Sequence, residues 1–143
     1  MTLDLSSLRS AIAQARDAVA YCGSAPARAD SRLALHLRAG AIQAFEFTYE
    51  LSIKTLKRFL ADTEANPGAV DEMSFNDLIR RGYERGILDA QLTDWKAFRR
   101  DRGTTSHTYD AAKAQAIFEA IPAFLAEADF LLTRITERQG QAT

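Results

Sequence analysis

One short segment of this sequence carries several side chains that can do chemistry together. Residues 102–109 supply a guanidinium, an imidazole, a phenol and hydroxyls, contributed by Arg102, His107, Tyr109, Thr105 and Ser106. An arginine binds a phosphate through paired hydrogen bonds, and a histidine that titrates near neutrality moves a proton to or from a ribose hydroxyl. These groups together suit phosphoryl chemistry on RNA. The spacing leaves a second interpretation open, in which Thr108 or Asp110 simply caps the helix that follows.

Two carboxylates lie one helical turn apart, at Glu46 and Glu50. A pair at this spacing can do acid–base work or hold a hard cation. Glu50 also precedes Lys54 by four residues, which is the favourable orientation for an ion pair along a helix. We therefore predict that both carboxylates have a supporting role at a cleft or interface rather than a catalytic one. His36 lies among leucines, and we assign it no functional role.

Residue counts exclude several other kinds of site. The seven glycines form neither a dinucleotide-binding fingerprint nor a phosphate-binding P-loop. A di-iron bundle needs a glutamate three residues before each ligating histidine, but those positions are Leu33 and Thr104. Two histidines and one cysteine argue against a structural zinc site. We predict no metal and no cofactor.

Length and composition indicate one globular domain that spans residues 1–143. Of the 143 residues 47% are hydrophobic and 26% are charged, with a net charge of -1. Alanine (26) and leucine (15) dominate while valine occurs twice, which is typical of an all-α fold. No apolar run approaches the roughly 20 residues of a membrane span, and charges interrupt the first 20 residues. With Cys22 as the single cysteine, we expect a cytoplasmic protein.

Hydrophobic periodicity predicts five helices, over 5–21, about 31–60, 75–85, from about 89 to 102, and from 110 onwards. The segments 23–26 and 62–73 are expected to be connections, and about 138–143 a disordered tail. Helices joined by short connections favour an antiparallel, up-and-down bundle of four or five helices. Arg102 lies on the same side of its helix as the apolar residues, where a core residue would be expected.

Charge is unevenly distributed along the chain. Residues 80–102 hold seven basic and four acidic side chains, a local charge of +3, whereas the segments on either side are each -2. A basic stretch on a slightly acidic body is able to meet an anionic partner. A solvated helix face explains the same stretch equally simply.

The chain resembles a known family, the nucleotidyltransferase substrate-binding proteins of the HEPN superfamily, whose toxin members are called HepT. Three blocks carry the resemblance: AIQAFEFTYELSIKTLK at 41–57, SFNDLIRRGYERGILD at 74–89 and DRGTTSHTYD at 101–110. The last block resembles the Arg-x4-His-x-Tyr motif of the family, here Arg102, His107 and Tyr109. The resemblance extends over nearly the whole chain.

The resemblance implies a HEPN-like bundle that forms a homodimer, with the motifs of both chains at a shared cleft. It implies RNA as the substrate, with tRNA as one candidate, and cleavage without a metal. His107 would act as general acid or base at the ribose 2'-hydroxyl or the leaving oxygen, and Arg102 would stabilise charge at phosphorus. The implied partner is a minimal nucleotidyltransferase that acts as antitoxin and transfers AMP to Tyr109, blocking RNA by bulk and charge.

Two departures from the family pattern bear on this expectation. Gly103 replaces an asparagine that is common after the motif arginine, which removes an amide and loosens the backbone. Ala44 and Ile53 stand where arginine and tryptophan are frequent. An alternative function is therefore a non-catalytic subunit that presents a nucleotide or other substrate to the nucleotidyltransferase. A purely structural helical dimer would leave Arg102 on an apolar face unexplained.

Overall fold

The computed structural model describes residues 2–141 and confirms the predicted all-α bundle. The helices are α1 (Ser6–Cys22), α2 (Ala25–Ala29), α3 (Ser31–Thr63), α4 (Gly68–Asp71), α5 (Phe75–Glu84), α6 (Leu92–Gly103) and α7 (Ala111–Gln141). A 3-10 turn at Thr105–His107 joins α6 to α7. The five longer helices are the five predicted ones, while α2 and α4 lie in segments predicted to be connections.

Contacts between α1, α3 and α7 show the relative directions in which these three helices run. Arg16 of α1 pairs with Asp129 of α7 at 3.5 Å, and the backbone N–H of Leu3 donates to Gln139 at 2.6 Å, so these two helices run in opposite directions. Arg38 of α3 donates to Gln115 of α7 at 3.1 Å. Phe45 and Phe124, further along the same two helices, also touch, so α3 and α7 run in the same direction.

Local capping explains where several helices begin and end. Ser74 accepts the N–H of Asp77 at 3.1 Å and starts α5, as predicted. Gly86 follows α5 with a φ of 75°, the left-handed conformation that glycine adopts at little cost. Asp110 accepts the N–H groups of Ala112 and Lys113 and starts α7, so it is Asp110 and not Thr108 that caps this helix.

Three local predictions were wrong. The segments 23–26 and 62–73 are not simple connections: Ser24 caps α2, and the side chain of Val70 in α4 is buried in the core. The tail expected at about 138–143 is helical to Gln141, because Arg138 donates to the carbonyl of Arg85 at 2.6 Å and Gln139 accepts from Leu3. Residues 142–143 lie outside the described residues.

A cluster of aromatic rings joins α3, α6 and α7 beneath the candidate site. Phe124 of α7 lies at its centre, with four ring centroids within 6.0 Å, those of Phe45, Tyr49, Trp95 and Phe98. Edge-to-face arrangements of this kind contribute beyond the burial of area. The cluster fixes how the end of α6 lies against the middle of α3.

Glu127 is buried in the same region and ties the start of α6 to α7. Its carboxylate accepts the indole N–H of Trp95 at 2.7 Å and the backbone N–H groups of Asp89 and Ala90 at 3.0 and 2.9 Å. Burial raises the pKa of Glu127, and the three donated hydrogen bonds act in the opposite direction. These bonds also hold residues 89 and 90 outside the helix, so α6 begins at Leu92 and not near Asp89 as predicted.

Replacing Glu127 by alanine is expected to destabilise the fold by about 3–5 kcal/mol, because one buried and two part-buried donors lose their acceptor, and a buried donor left unpaired costs on the order of 1–3 kcal/mol. Thermal unfolding followed by far-ultraviolet circular dichroism measures the change. Glu119→Ala is the control, since Glu119 is exposed on the same helix. Equal unfolding temperatures for the two variants would contradict the structural role of Glu127.

Candidate active site

The guanidinium of Arg102 crosses from the end of α6 to two carboxylates on α3. Its Nη2 lies 3.3 Å from a carboxylate oxygen of Glu46 and donates a short hydrogen bond to Glu50. The predicted pairing of Glu50 with Lys54 is therefore wrong, since the Glu50 carboxylate faces Arg102 instead. The side chain of Arg102 is 28% exposed, which agrees with its predicted place on the inward side of α6.

Thr105 connects the 3-10 turn to the same group. Its side chain is buried, and its Oγ1 lies 2.9 Å from a Glu46 carboxylate oxygen and 2.9 Å from the carbonyl oxygen of Arg102. The hydroxyl also accepts from Arg102 Nη1 at 3.4 Å. Arg102, Thr105, Glu46 and Glu50 thus form one hydrogen-bonded group, here called the arginine cluster.

The charges of the arginine cluster keep the guanidinium protonated. The hydrogen bond to Glu50 raises the pKa of Arg102, and partial burial opposes this only in part. Two carboxylates against one guanidinium leave the cluster with a formal charge of -1. Among the described residues, Nε of Arg102 is the one buried side-chain nitrogen or oxygen without a hydrogen-bond partner. Its N–H is therefore shielded from solvent as well as unpaired.

His107 and Tyr109 form a second group next along the chain. Nδ1 of His107 lies 3.2 Å from the phenol oxygen of Tyr109, and the two rings meet edge to face at 5.8 Å. Tyr109 is 83% exposed, which gives its hydroxyl free access to solvent. Ser106 is exposed between the two groups. An imidazole and an accessible phenol in contact provide a proton carrier and a nucleophile.

Gly103 ends α6 between these groups. A Cβ atom added at this position meets no atom within 4 Å, and the backbone does not adopt a positive φ. The glycine is therefore not required by packing or by backbone geometry. The Cβ atom of an asparagine, the residue common here in the family that the motif resembles, would meet no neighbour at this position.

Sequence reasoning identified every member of the two groups but not their mutual contacts. The approach of Arg102 to Glu46 and Glu50 joins positions more than fifty residues apart. A signal was present: the inward position of Arg102 on α6 called for an acidic partner on a neighbouring helix. Glu46 and Glu50, one turn apart on α3, provide that partner.

Nearly the whole chain matches one family of known proteins. Residues 3–137 match the family model described as nucleotidyltransferase substrate binding protein like. The chain belongs to this family. The match spans all the helices that form the arginine cluster and includes both His107 and Tyr109.

Two matches from Haemophilus influenzae extend the comparison. A protein named probable ribonuclease HepT is 42% identical over 102 residues, which cover 71% of this chain and 69% of the relative. A solved structure, described as the fold of a substrate-binding domain of a nucleotidyltransferase, superposes with a TM-score of 0.87 at 35% identity. That superposition covers 93% of this chain and 99% of the other.

The length and apolar character of the helices also bear on a possible membrane span. None of those within residues 2–141 combines the length and the apolar character that crossing a bilayer demands.

Proposed function

We propose that this family member is a metal-independent endoribonuclease and the toxin of a toxin–antitoxin pair. The observation that carries the proposal is the placement of a permanently charged guanidinium and an imidazole on one short segment, Arg102 to His107, at the end of α6. The relative named as a probable ribonuclease supports the reaction class. The chemistry of the segment supports RNA, whose 2'-hydroxyl is an internal nucleophile.

In the proposed reaction His107 takes the proton from a ribose 2'-hydroxyl. The 2'-oxygen then forms a bond to phosphorus, the bond from phosphorus to the 5'-oxygen breaks, and the imidazolium returns a proton to that leaving oxygen. The products are a 2',3'-cyclic phosphate and a 5'-hydroxyl. Arg102 stabilises the charge on the non-bridging oxygens, using a nitrogen released from its carboxylate partners. Glu50, 56% exposed, is better placed to turn away than Glu46 at 38%.

We assign Tyr109 as the control point of this activity. A cognate minimal nucleotidyltransferase would direct the Tyr109 oxygen to the α-phosphorus of ATP, forming a phosphodiester and releasing pyrophosphate. The exposure of the phenol supports this access, and its 3.2 Å distance from His107 would bring the AMP anion against the imidazole. The bound AMP excludes RNA by volume and by charge repulsion. We place the pair in the cytoplasm, with the toxin as a homodimer.

The experiment that tests cleavage uses the purified chain, made without its partner, with total tRNA in excess chelator. We expect fragments that end in 2',3'-cyclic phosphate, which only attack by the 2'-hydroxyl produces. Cleavage that stops when the chelator is added would contradict the metal-independent reaction. The variants that identify the acting residues are discussed below.

Replacing Tyr109 by phenylalanine is expected to abolish transfer of label from ATP labelled at the α-phosphate, because the accepting oxygen is gone. The reaction contains the cognate nucleotidyltransferase, and bound label is counted on the separated chain. Tyr21→Phe is the matched control, since Tyr21 is 56% exposed and lies on α1. Label on the Tyr109 variant equal to that on the control would assign the modification to another residue.

A second function is favoured by one observation, the neutralisation of Arg102 by two carboxylates. In this alternative the chain performs no chemistry and presents a nucleotide or other substrate to the nucleotidyltransferase. It predicts no cleavage of any RNA in the experiment above, together with retained binding to the nucleotidyltransferase.

A further inference from the structure

A cavity of about 530 Å³ opens beside the arginine cluster, between α3, α5 and α6. Its size is within the range of small-molecule sites in proteins. We call it the basic pocket, and it is lined by Tyr49, Glu50, Ile53, Lys54, Lys57, Met73, Phe75, Leu78 and Arg99.

The charge of the basic pocket is positive and largely uncompensated. Lys54, Lys57 and Arg99 are exposed, and the ion pairs within residues 2–141 include none of them. The one acid of the lining, Glu50, already pairs with Arg102. Three cations that line a concave surface without carboxylate partners favour an anionic ligand.

The rest of the lining suits a flat ring. The guanidinium of Arg99 lies 4.5 Å from the centre of the Phe75 ring and holds it in place. Phe75 and Met73 are partly buried, so each still offers surface to a ligand. Aromatic and thioether side chains next to cations are a combination that binds the bases and phosphates of an unpaired nucleic-acid strand.

The basic pocket is continuous with the site of the proposed reaction. Glu50 belongs both to its lining and to the arginine cluster. Tyr49 also lines the pocket and lies within the electrostatic influence of both Arg99 and Arg102. Burial raises the pKa of Tyr49 to about 12, while the charges of the two arginines act to lower it. A ligand in the pocket therefore lies directly beside a phosphate held at Arg102.

We propose that the basic pocket binds the nucleotide adjacent to the scissile phosphate of a single-stranded RNA, with its phosphate at Lys54 and Lys57 and its base against Phe75. This inference rests on the proposed function, because it takes the phosphate at Arg102 as the point of cleavage. A paired strand is disfavoured, since a base stacked within a duplex cannot also stack on an aromatic ring that lines the pocket. The site thus selects unpaired segments of an RNA.

The test measures binding of a strand that cannot be cut. A fluorescent single-stranded RNA of about ten nucleotides, methylated at every 2'-oxygen, is titrated by anisotropy at several salt concentrations. Lys57→Gln is expected to reduce the slope of log affinity against log salt by about 0.7, and the Lys54→Gln/Lys57→Gln double variant by about 1.4. The reason is that binding releases fewer counterions from the strand when a phosphate contact is missing. Phe75→Leu is expected to weaken binding about tenfold.

Arg58→Gln is the matched control. Arg58 is the next residue on α3, is exposed and carries the same charge, but does not line the pocket. Equal slopes for the Lys57 and Arg58 variants would overturn the proposal even if ordinary RNA is cleaved. If the salt dependence of binding changes in the Lys57 variant but the parent chain cleaves no RNA, the pocket is an RNA-binding site and the proposed ribonuclease activity is wrong. Binding of free 5'-AMP as tightly as the strand, with the same dependence on Lys57, would also overturn it in favour of a free nucleotide.

Discussion

Replacing Arg102 by lysine is expected to reduce cleavage of RNA by about 100- to 1,000-fold, the loss typical when one donor to a developing oxyanion is removed. The charge is retained, but an ammonium cannot bond Glu46, Glu50 and Thr105 at once while it offers a further N–H to phosphate. The rate is measured on labelled RNA in chelator, with enzyme in excess, so that the chemical step is observed.

Arg100→Lys is the control for Arg102, because Arg100 lies on the same helix and is exposed. Its rate is expected to remain near that of the parent chain. If both lysine variants cleave alike, the planar fork of the guanidinium has no part in the reaction, and the arginine cluster is a structural tie between α3 and α6.

Replacing His107 by alanine is expected to lower the same rate by about 100- to 10,000-fold, the contribution usual for general acid–base catalysis. The half-buried ring packs against the exposed Tyr109, so its removal should leave the unfolding temperature nearly unchanged. Added imidazole is expected to restore part of the rate, because a free base can occupy the space of the missing ring. That recovery separates a proton-transfer role from a structural one.

The second histidine provides the control. His36 is exposed near the start of α3, and His36→Ala is expected to cleave at the parental rate. Parental activity in the His107 variant would remove the proposed mechanism while leaving the fold and the family membership intact. In that case a group other than His107 transfers the proton, whereas the substrate-presenting alternative requires that neither chain cleaves RNA.

The fold was largely predictable because its main helices carry strong local signals. Asp110 caps α7 and was one of the two caps that the sequence offered there, and the five longer helices follow the apolar periodicity. The short helices α2 and α4 were missed, since four or five residues are too few for a period to show. The start of α6 was misplaced because Glu127, far away in sequence, binds the backbone at 89 and 90.

The candidate site was predictable in its members but not in its geometry. Arg102, His107 and Tyr109 stand out through their residue types and the family motif. The predicted partner of Glu50 was wrong because two basic groups compete for this carboxylate, and the helix spacing rule favours the one four residues away, Lys54. Glu50 pairs with Arg102 because of the way α6 packs on α3, and the aromatic cluster around Phe124 determines that packing.

The burial of Trp95 gives the chain an intrinsic optical reporter. It is the only tryptophan, it has no exposed surface, and its indole N–H is bonded to Glu127. In the native state its fluorescence therefore arises from a single environment shielded from water. The emission maximum is expected to shift to longer wavelength when unfolding exposes the ring to water. Every variant of the surface site can be checked for an intact bundle by fluorescence, without a label, in the cuvette used for the cleavage assay.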